Sequence, residues 1–106
     1  MAKIRFTPDA LEDMKGIKAY IANELCDEPS ALLTVQKIMD RIRRLADFPN
    51  LGAPLSSIIL LDVPYRFLVC GNYMVFYKTE RGEVHIIRVL SCKRDFMQVL
   101  FPDSSK

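Results

Sequence analysis

The sequence contains no long apolar run. None of its 106 residues lies in a stretch approaching the roughly 18 consecutive apolar residues of a membrane-spanning helix. The N-terminal residues MAKIRFTPDAL also lack the apolar region of a secretion signal. These absences argue against a membrane partner and predict a soluble, cytoplasmic protein.

Cysteine and histidine, the residues typical of disulfide frameworks and zinc sites, are scarce. The three cysteines, Cys26, Cys70 and Cys92, are widely spaced and contain no CxxC pair, so they predict neither a disulfide framework nor a zinc site. His85 is the only histidine. A glycine-rich phosphate loop and a Ser-His-acid constellation are missing too. We therefore expect no metal and no cofactor.

Charge of one sign is not in large excess. Fifteen Lys and Arg residues against 13 Asp and Glu give a formal charge of +2 and a pI of about 8.5. This balance is too mild to predict a nucleic-acid partner from net charge alone. Half of the residues are hydrophobic, which suffices for one core, and we predict a single domain over residues 1–106.

The first half of the chain shows helical spacing after a short strand. Polar and apolar residues alternate over Lys3–Phe6, which predicts a strand. The segment Thr7–Asp9 then suits a helix start, and apolar residues at helical spacing continue to about Leu25. Pro29 breaks this helix, and a second helix runs from there to about Ala46. Together they predict a helical hairpin.

The second half of the chain changes to strand patterns. A loop with a buried apolar portion covers residues 49–64. Two turn signals, Gly71-Asn72 and Arg81-Gly82, then divide three apolar segments. The predicted elements are strands over Tyr65–Cys70, Tyr73–Thr79 and Glu83–Cys92, a short helix over Arg94–Phe101 and a frayed tail over Pro102–Lys106. This order predicts an α+β fold, in which a small antiparallel sheet carries the helical hairpin on one face and a short C-terminal helix follows.

Counting residues back from the two turns predicts the two faces of the sheet. Arg66 then lies beside Tyr77, and Arg88 lies beside Val75. The helical hairpin is expected on the face that carries Phe67, Val69, Phe76 and Ile87. The other face, with Arg66 and Arg88, becomes a partly open concave surface for a partner or ligand. The alternative is that the C-terminal segment covers this face and that both arginines form peripheral salt bridges.

Cationic side chains are the candidate binding groups, because they can hold a phosphate backbone or stabilise the negative charge of a phosphoryl transition state. Lys37, Arg41 and Arg44 share one side of the second helix. The residues predicted to bind nucleic acid or another target are these three together with Arg88 and Lys93. An alternative is a solvated helical face that pairs with Asp40 and Asp47.

Three segments, DFPNLGAPL, YRFLVCGNYMVFYK and VHIIRVLSCKRDF, resemble in their order the RelE/ParE superfamily of type II toxin–antitoxin toxins, also called plasmid-stabilisation proteins. The likeness covers residues 3–101. It implies a RelE-like fold and a cytoplasmic bacterial toxin that a cognate antitoxin holds inactive in a hetero-oligomer. The RelE-like branch cuts mRNA on the ribosome without a metal, whereas the ParE-like branch poisons DNA gyrase.

The resemblance also implies catalytic residues. Arg66 and Arg94 match two arginines that RelE-like toxins use. The lysines of those toxins have no counterpart in Asp47–Leu55, and their C-terminal tyrosine falls on Leu100 or Phe101, which cannot transfer a proton.

Tyr77 and His85 are the remaining candidates for proton transfer. The leading hypothesis is a toxin that acts either as a metal-independent mRNA endoribonuclease or as a gyrase inhibitor. The second is a degenerate, catalytically inactive toxin fold that pairs with an antitoxin for DNA binding or regulation. A third is an RNA-binding domain whose footprint is the basic second helix, which predicts salt-sensitive RNA affinity.

Overall fold

The structure, a computed structural model, describes residues 1–102. In chain order its elements are β1 (Lys3–Phe6), α1 (Pro8–Ala19), a π-helical turn (Tyr20–Glu24), α2 (Glu28–Arg44), β2 (Ala53–Pro54), a 3₁₀ turn (Leu55–Ser57), β3 (Arg66–Cys70), β4 (Tyr73–Glu80), β5 (Glu83–Ser91) and α3 (Phe96–Leu100). The predicted α+β fold with a short C-terminal helix is confirmed. Residues 103–106 of the predicted frayed tail lie outside the described residues.

The strands form one mostly antiparallel sheet in the order β1-β5-β4-β3-β2. Strand β1 runs parallel to β5, so the N-terminal strand lies beside the last one. At the other edge, β2 pairs only with Arg66 and Phe67. Among the described residues, the outer edge of β3 from Leu68 to Cys70 therefore has no neighbouring strand.

Local capping signals set where the helices begin. The Thr7 side chain accepts a hydrogen bond from the Ala10 backbone N–H at 3.0 Å, and the Asp27 side chain accepts one from Ser30 at 3.1 Å. The hydrogen bonds with Ser30 lower the pKa of the Asp27 carboxyl, because they stabilise its charged form. Proline follows each cap within two positions, where its missing N–H costs nothing.

Helix α1 continues into a π-helical turn. The Leu25 N–H donates to the Tyr20 carbonyl at 3.3 Å, and this spacing of five residues is that of a π-helix. The chain leaves the helix at Cys26, whose φ of 52° lies in the left-handed region. The helical segment therefore ends beside Leu25, as the apolar spacing predicts.

The register of the central hairpins agrees with the sequence except at one bulge. Arg66 lies opposite Tyr77 as predicted. The prediction that Arg88 lies beside Val75 is wrong, because Val75 lies opposite Val89. The pairs on either side of the irregularity are Phe76 with Arg88 and Tyr77 with Ile86. Ile87 is therefore an extra residue on β5, a β-bulge that simple counting cannot detect.

The helical hairpin packs on the face of the sheet opposite to the predicted one. The buried sheet residues that it covers are Leu68, Val75, Tyr77, Val84, Ile86 and Val89, and the helices contribute Met14, Ile17, Ile38 and Ile42 among others. Both faces of the sheet carry apolar side chains, so alternation alone does not identify the face that the helices cover. The prediction of an open, arginine-bearing face is therefore wrong.

The second face of the sheet is covered by the C-terminal helix and the long loop. Its cluster is centred on Leu55, Phe76 and Leu90, and α3 adds Phe96, Val99 and Leu100. The ring centroids of Phe76 and Phe96 are 5.2 Å apart, and those of Tyr65 and Phe101 are 6.0 Å apart. The two positions on which the tyrosine of RelE-like toxins falls, Leu100 and Phe101, thus pack against the sheet. In residues 1–102 we find no helix with the length and apolar character needed to cross a bilayer.

Candidate functional site

Tyr77 and Arg66 meet at the loop that follows α2. Tyr77 is fully buried, and its hydroxyl donates to the Pro49 carbonyl at 2.8 Å and accepts from the Gly52 N–H at 2.9 Å. Both hydrogen bonds go to the backbone, and the hydroxyl has no path to a substrate. This position does not support the predicted proton-transfer role of Tyr77.

Arg66 anchors the same loop from the other side. Its Nε–H donates to the Gly52 carbonyl at 3.0 Å, and its Nη2 donates to the Asn50 carbonyl at 3.4 Å. Arg66 forms no ion pair with a carboxylate of residues 1–102. The observed role of this arginine is to hold the loop, and a catalytic role for it stays a prediction.

Gly52 explains why the loop can approach the sheet so closely. A Cβ atom at this position would lie 2.5 Å from the Phe67 carbonyl oxygen and 2.8 Å from the Tyr77 ring and hydroxyl. Real Cβ atoms are not found at such distances from backbone oxygens. The glycine of the Phe-Pro-x-x-Gly segment, residues 48–52, therefore allows backbone groups of the loop to reach Tyr77.

Arg88 is held by α1. Its Nε and Nη2 donate to the two Asp13 carboxylate oxygens at 2.7 and 2.8 Å, and the Val89 N–H donates to Asp13 at 2.9 Å. The Arg88 side chain is 20% exposed and that of Asp13 is 9% exposed. The hydrogen bonds to Asp13 raise the pKa of the Arg88 guanidinium against the opposing effect of burial. The salt-bridge alternative for Arg88 is thus the one observed, and its predicted target-binding role lacks support.

His85 lies on the opposite face of the sheet from Tyr77, because it pairs with Lys78 one position further along β4. Its Nε2 atom lies 3.3 Å from the Glu83 carboxylate. Glu83 also accepts a hydrogen bond from the Arg5 Nε–H at 3.1 Å, and that bond lowers the pKa of Glu83. The two candidates for proton transfer, His85 and Tyr77, are therefore separated by the sheet.

Arg66 and Arg94 lie far apart on the sheet. Arg66 shares a row with Tyr77 and Ile86, whereas Arg94 follows the end of β5 at Ser91. The five residues from Ile86 to Ser91 span roughly 16 Å at about 3.3 Å per residue, and two strand spacings separate the arginines sideways as well. Since Arg66 is also bonded to the loop, the two arginines do not converge on one phosphate.

The cations of α2 lie together over the end of β3. Lys37, Arg41 and Arg44 line a groove of about 400 Å³ with Asp40 and Cys70. None of these three forms an ion pair with a carboxylate of residues 1–102, so the pairing with Asp40 and Asp47 that the alternative of a solvated helical face includes is not observed for them. Asp40 is instead 2.8 Å from Arg43.

Lys93 and Arg94 line a larger groove beside the end of α1. Its volume is about 670 Å³, and Tyr20, Asn72 and Tyr73 contribute to its walls. Partial burial raises the pKa of the Tyr73 hydroxyl, and the electrostatic effect of the neighbouring Tyr20 raises it further. Tyr20 and Asn72 are absent from the sequence-based site; the available signal was an aromatic residue, Tyr20, outside the apolar stripe of α1.

A third groove joins the other two. Its volume is about 180 Å³, and it shares Lys37 and Cys70 with the α2 groove and Asn72 and Tyr73 with the larger one. The cations along this continuous path, here called the basic band, are Lys37, Arg41, Arg44, Lys93 and Arg94. Within residues 1–102, no group of His, Cys, Asp or Glu side chains is arranged to hold a metal ion.

Most of the sequence also matches a known protein family. Residues 4–96 match the family described as the ParE toxin of the type II toxin–antitoxin system parDE. The chain belongs to the ParE toxin family. In this ParE-family toxin, the loop at Pro49–Gly52 and the basic band both lie within the matched residues.

Solved structures agree with the family at the level of the fold. The ParE-family chain superimposes with a TM-score of 0.72 on a chain from the chromosomal ParDE toxin–antitoxin system of P. aeruginosa. The two sequences are 22% identical, and the match covers 86% of this chain and 96% of the other. A search of curated protein sequences gave no match.

Proposed function

We propose that this chain is a growth-arresting toxin that inhibits DNA gyrase and that a cognate antitoxin neutralises it. The resemblance to ParE-like toxins implies gyrase as the target, and the family membership supports it. The observation that carries the choice of mechanism is the placement of Tyr77, a fully buried residue whose hydroxyl is occupied by Pro49 and Gly52. Inhibition by binding requires an exposed surface and no proton transfer.

Metal-free cleavage of mRNA makes stricter demands on geometry. It needs a base for the ribose 2′-hydroxyl, an acid for the leaving oxygen and cations around one phosphate. In residues 1–102, Arg66 and Arg94 lie far apart on the sheet, and Tyr77 and His85 lie on opposite faces. Leu100 belongs to the apolar cluster that covers the second face. These positions favour the gyrase mechanism over the nuclease mechanism.

The test compares the two targets directly with the purified chain. Supercoiling of a relaxed plasmid by gyrase and translation of a reporter mRNA are measured over the same range of toxin concentration. We expect supercoiling to fall while the reporter mRNA stays intact and is translated. The Tyr77→Phe variant, tested at temperatures where it is folded, should inhibit supercoiling as well as the unchanged chain does.

Two results would contradict the proposal. Ribosome-dependent cuts in the reporter mRNA, with gyrase fully active, would favour the RelE-like mechanism. Full activity of both gyrase and translation, together with normal growth of cells producing the folded chain, would favour the inactive module that pairs with an antitoxin.

A further inference from the structure

We propose that the basic band, together with Tyr20 and Tyr73, is a binding groove for single-stranded nucleic acid. The phosphates would follow the five cations, and exposed bases would stack on the two tyrosine rings. This proposal goes beyond the choice of target and does not depend on gyrase inhibition.

The five cations of the basic band are not neutralised by ion pairs with acidic side chains of residues 1–102. Several other cations of the described chain are paired with acids, among them Arg5, Lys15, Arg43, Lys78 and Arg88. The five cations of the basic band form no ion pair with a carboxylate of residues 1–102. Asp40, which lines the same path, is occupied by Arg43. The basic band therefore presents uncompensated positive charge, which favours a chain of phosphates.

Two aromatic rings, those of Tyr20 and Tyr73, also line the path. Tyr20 is 54% exposed, and Tyr73 lines both the larger groove and the connecting one. No described group forms a hydrogen bond with the Tyr73 hydroxyl. Aromatic rings within a basic groove are the usual stacking platforms for single strands, and they accept any base.

The shape of the basic band also suits a single strand. The three grooves form one continuous path through shared residues, and the largest, about 670 Å³, lies within the range of about 300–1,000 Å³ typical of ligand sites. Tyr73 is partly recessed and cannot reach bases that are stacked inside a duplex. An acidic protein segment would use the cations but would gain little from stacking on the rings. The combination favours a single strand over both alternatives.

The test is fluorescence anisotropy of the full chain with labelled 12-nucleotide strands, oligo-dT and oligo-rU, and a duplex of the same length. We expect the single strands to bind more tightly than the duplex. Neutralisation of five phosphates predicts a salt slope of about −3.5, or roughly a 100-fold loss of affinity between 50 and 200 mM salt. Preference for DNA or for RNA then identifies the natural source of the strand.

Matched variants separate the basic band from general charge. The Lys93→Ala/Arg94→Ala double variant should lose at least about tenfold in affinity and reduce the salt slope by about 1.4. The control is Lys3→Ala/Arg81→Ala, which removes the same charge from two exposed residues at the other end of the sheet. It should change affinity by less than about threefold, since distant charges are screened.

A second pair of variants tests stacking. Tyr20→Ala should weaken binding about tenfold, because it removes an exposed stacking ring. Phe48→Ala, which removes an aromatic ring that is 62% exposed outside the path, is the control. Thermal unfolding of each variant confirms that the loss is not a loss of fold.

Four results would overturn the proposal. They are the absence of binding at 50 mM salt, equal losses in the two double variants, an unchanged affinity for Tyr20→Ala, and tighter binding of an acidic peptide of equal charge than of either strand. The last would make the basic band a surface for an acidic protein.

Discussion

The hydroxyl of Tyr77 is buried at a position where water cannot form hydrogen bonds with it. The Tyr77 ring belongs to the cluster beneath the helices, and its hydroxyl exchanges hydrogen bonds with Pro49 and Gly52. A buried hydroxyl without partners would cost free energy, so the loop must bring its backbone there. The residue therefore couples the packing of the sheet to the shape of the loop.

The Tyr77→Phe variant should be folded but less stable. Removing the hydroxyl leaves the Gly52 N–H and the Pro49 carbonyl without their partner, and we expect the free energy of unfolding to fall by about 2 kcal/mol. Urea denaturation measures the change. Tyr73→Phe is the control, because no described group bonds to that hydroxyl, and it should lose less than about 0.5 kcal/mol. Equal losses would contradict the assigned role of Tyr77.

At the scale of elements, the loop of residues 49–52 follows α2 and is hydrogen-bonded to the sheet. Arg66 holds its carbonyls from β3, and Tyr77 holds it from β4. The loop can lie this close to the sheet only because Gly52 has no side chain, since any Cβ would collide with the Phe67 carbonyl. Two of the candidate catalytic residues, Arg66 and Tyr77, thus hold this loop against the sheet.

Gly52→Ala should therefore destabilise the protein, while Gly16→Ala should not. A Cβ at Gly52 forces the loop or β3 to move, with an expected cost of at least about 2 kcal/mol. A Cβ at Gly16 meets nothing within 4 Å, and alanine in the interior of α1 should add about 0.5–1 kcal/mol. Unfolding of both variants in urea gives the comparison. A Gly52→Ala protein as stable as the unchanged chain would show that the loop is not tightly seated.

Elements with local signals could be predicted from the sequence, and those that depend on packing could not. Thr7 caps α1 as expected, and the turn at Gly71 sets the β3–β4 register. The covered face was mispredicted because Phe67 and Leu68 are both apolar and both buried or half-buried, on opposite sides of one sheet. The Ile87 bulge has no sequence signal of its own, and it is what displaced the predicted partner of Arg88.

The candidate site was predictable only in part. The one-sided spacing of the α2 cations and the cluster at Lys93 and Arg94 are visible in the sequence. The distance between Arg66 and Arg94 is not, because it depends on which ends of the strands they occupy. Nor does a sequence place Tyr20 near Tyr73, since the two residues line one groove only when α1 and the π-helical turn after it pack on the sheet.

At the scale of the whole molecule, Asp13 and Arg88 join the first helix to the last strand across 75 residues of sequence. Asp13 holds two donors of Arg88 and also the Val89 N–H, which lies on β5 beyond the part that pairs with β1. The pair thus closes an edge of the sheet where no strand is available. It ties the N-terminal and C-terminal parts of the chain into one structure.

Asp13→Ala should reduce stability far more than Asp40→Ala. It leaves Arg88 partly buried without its partner, and it leaves the Val89 N–H unbonded, for an expected loss of about 2–4 kcal/mol. Asp40 pairs with Arg43 at a similar distance, but both side chains are mostly exposed, so its loss should be below about 0.5 kcal/mol. Denaturation in urea at neutral pH measures both, and similar losses would contradict the argument.

The shortness of β2 has a consequence for how copies of the protein behave at high concentration. An uncovered strand edge invites another chain to pair with it, which is a common route to aggregation. The open edge of β3 ends at Cys70, beside Lys37, Arg41 and Arg44. Two copies approaching edge to edge would bring these like charges together. The same cations that we propose as nucleic-acid ligands would thus also oppose self-association through this edge.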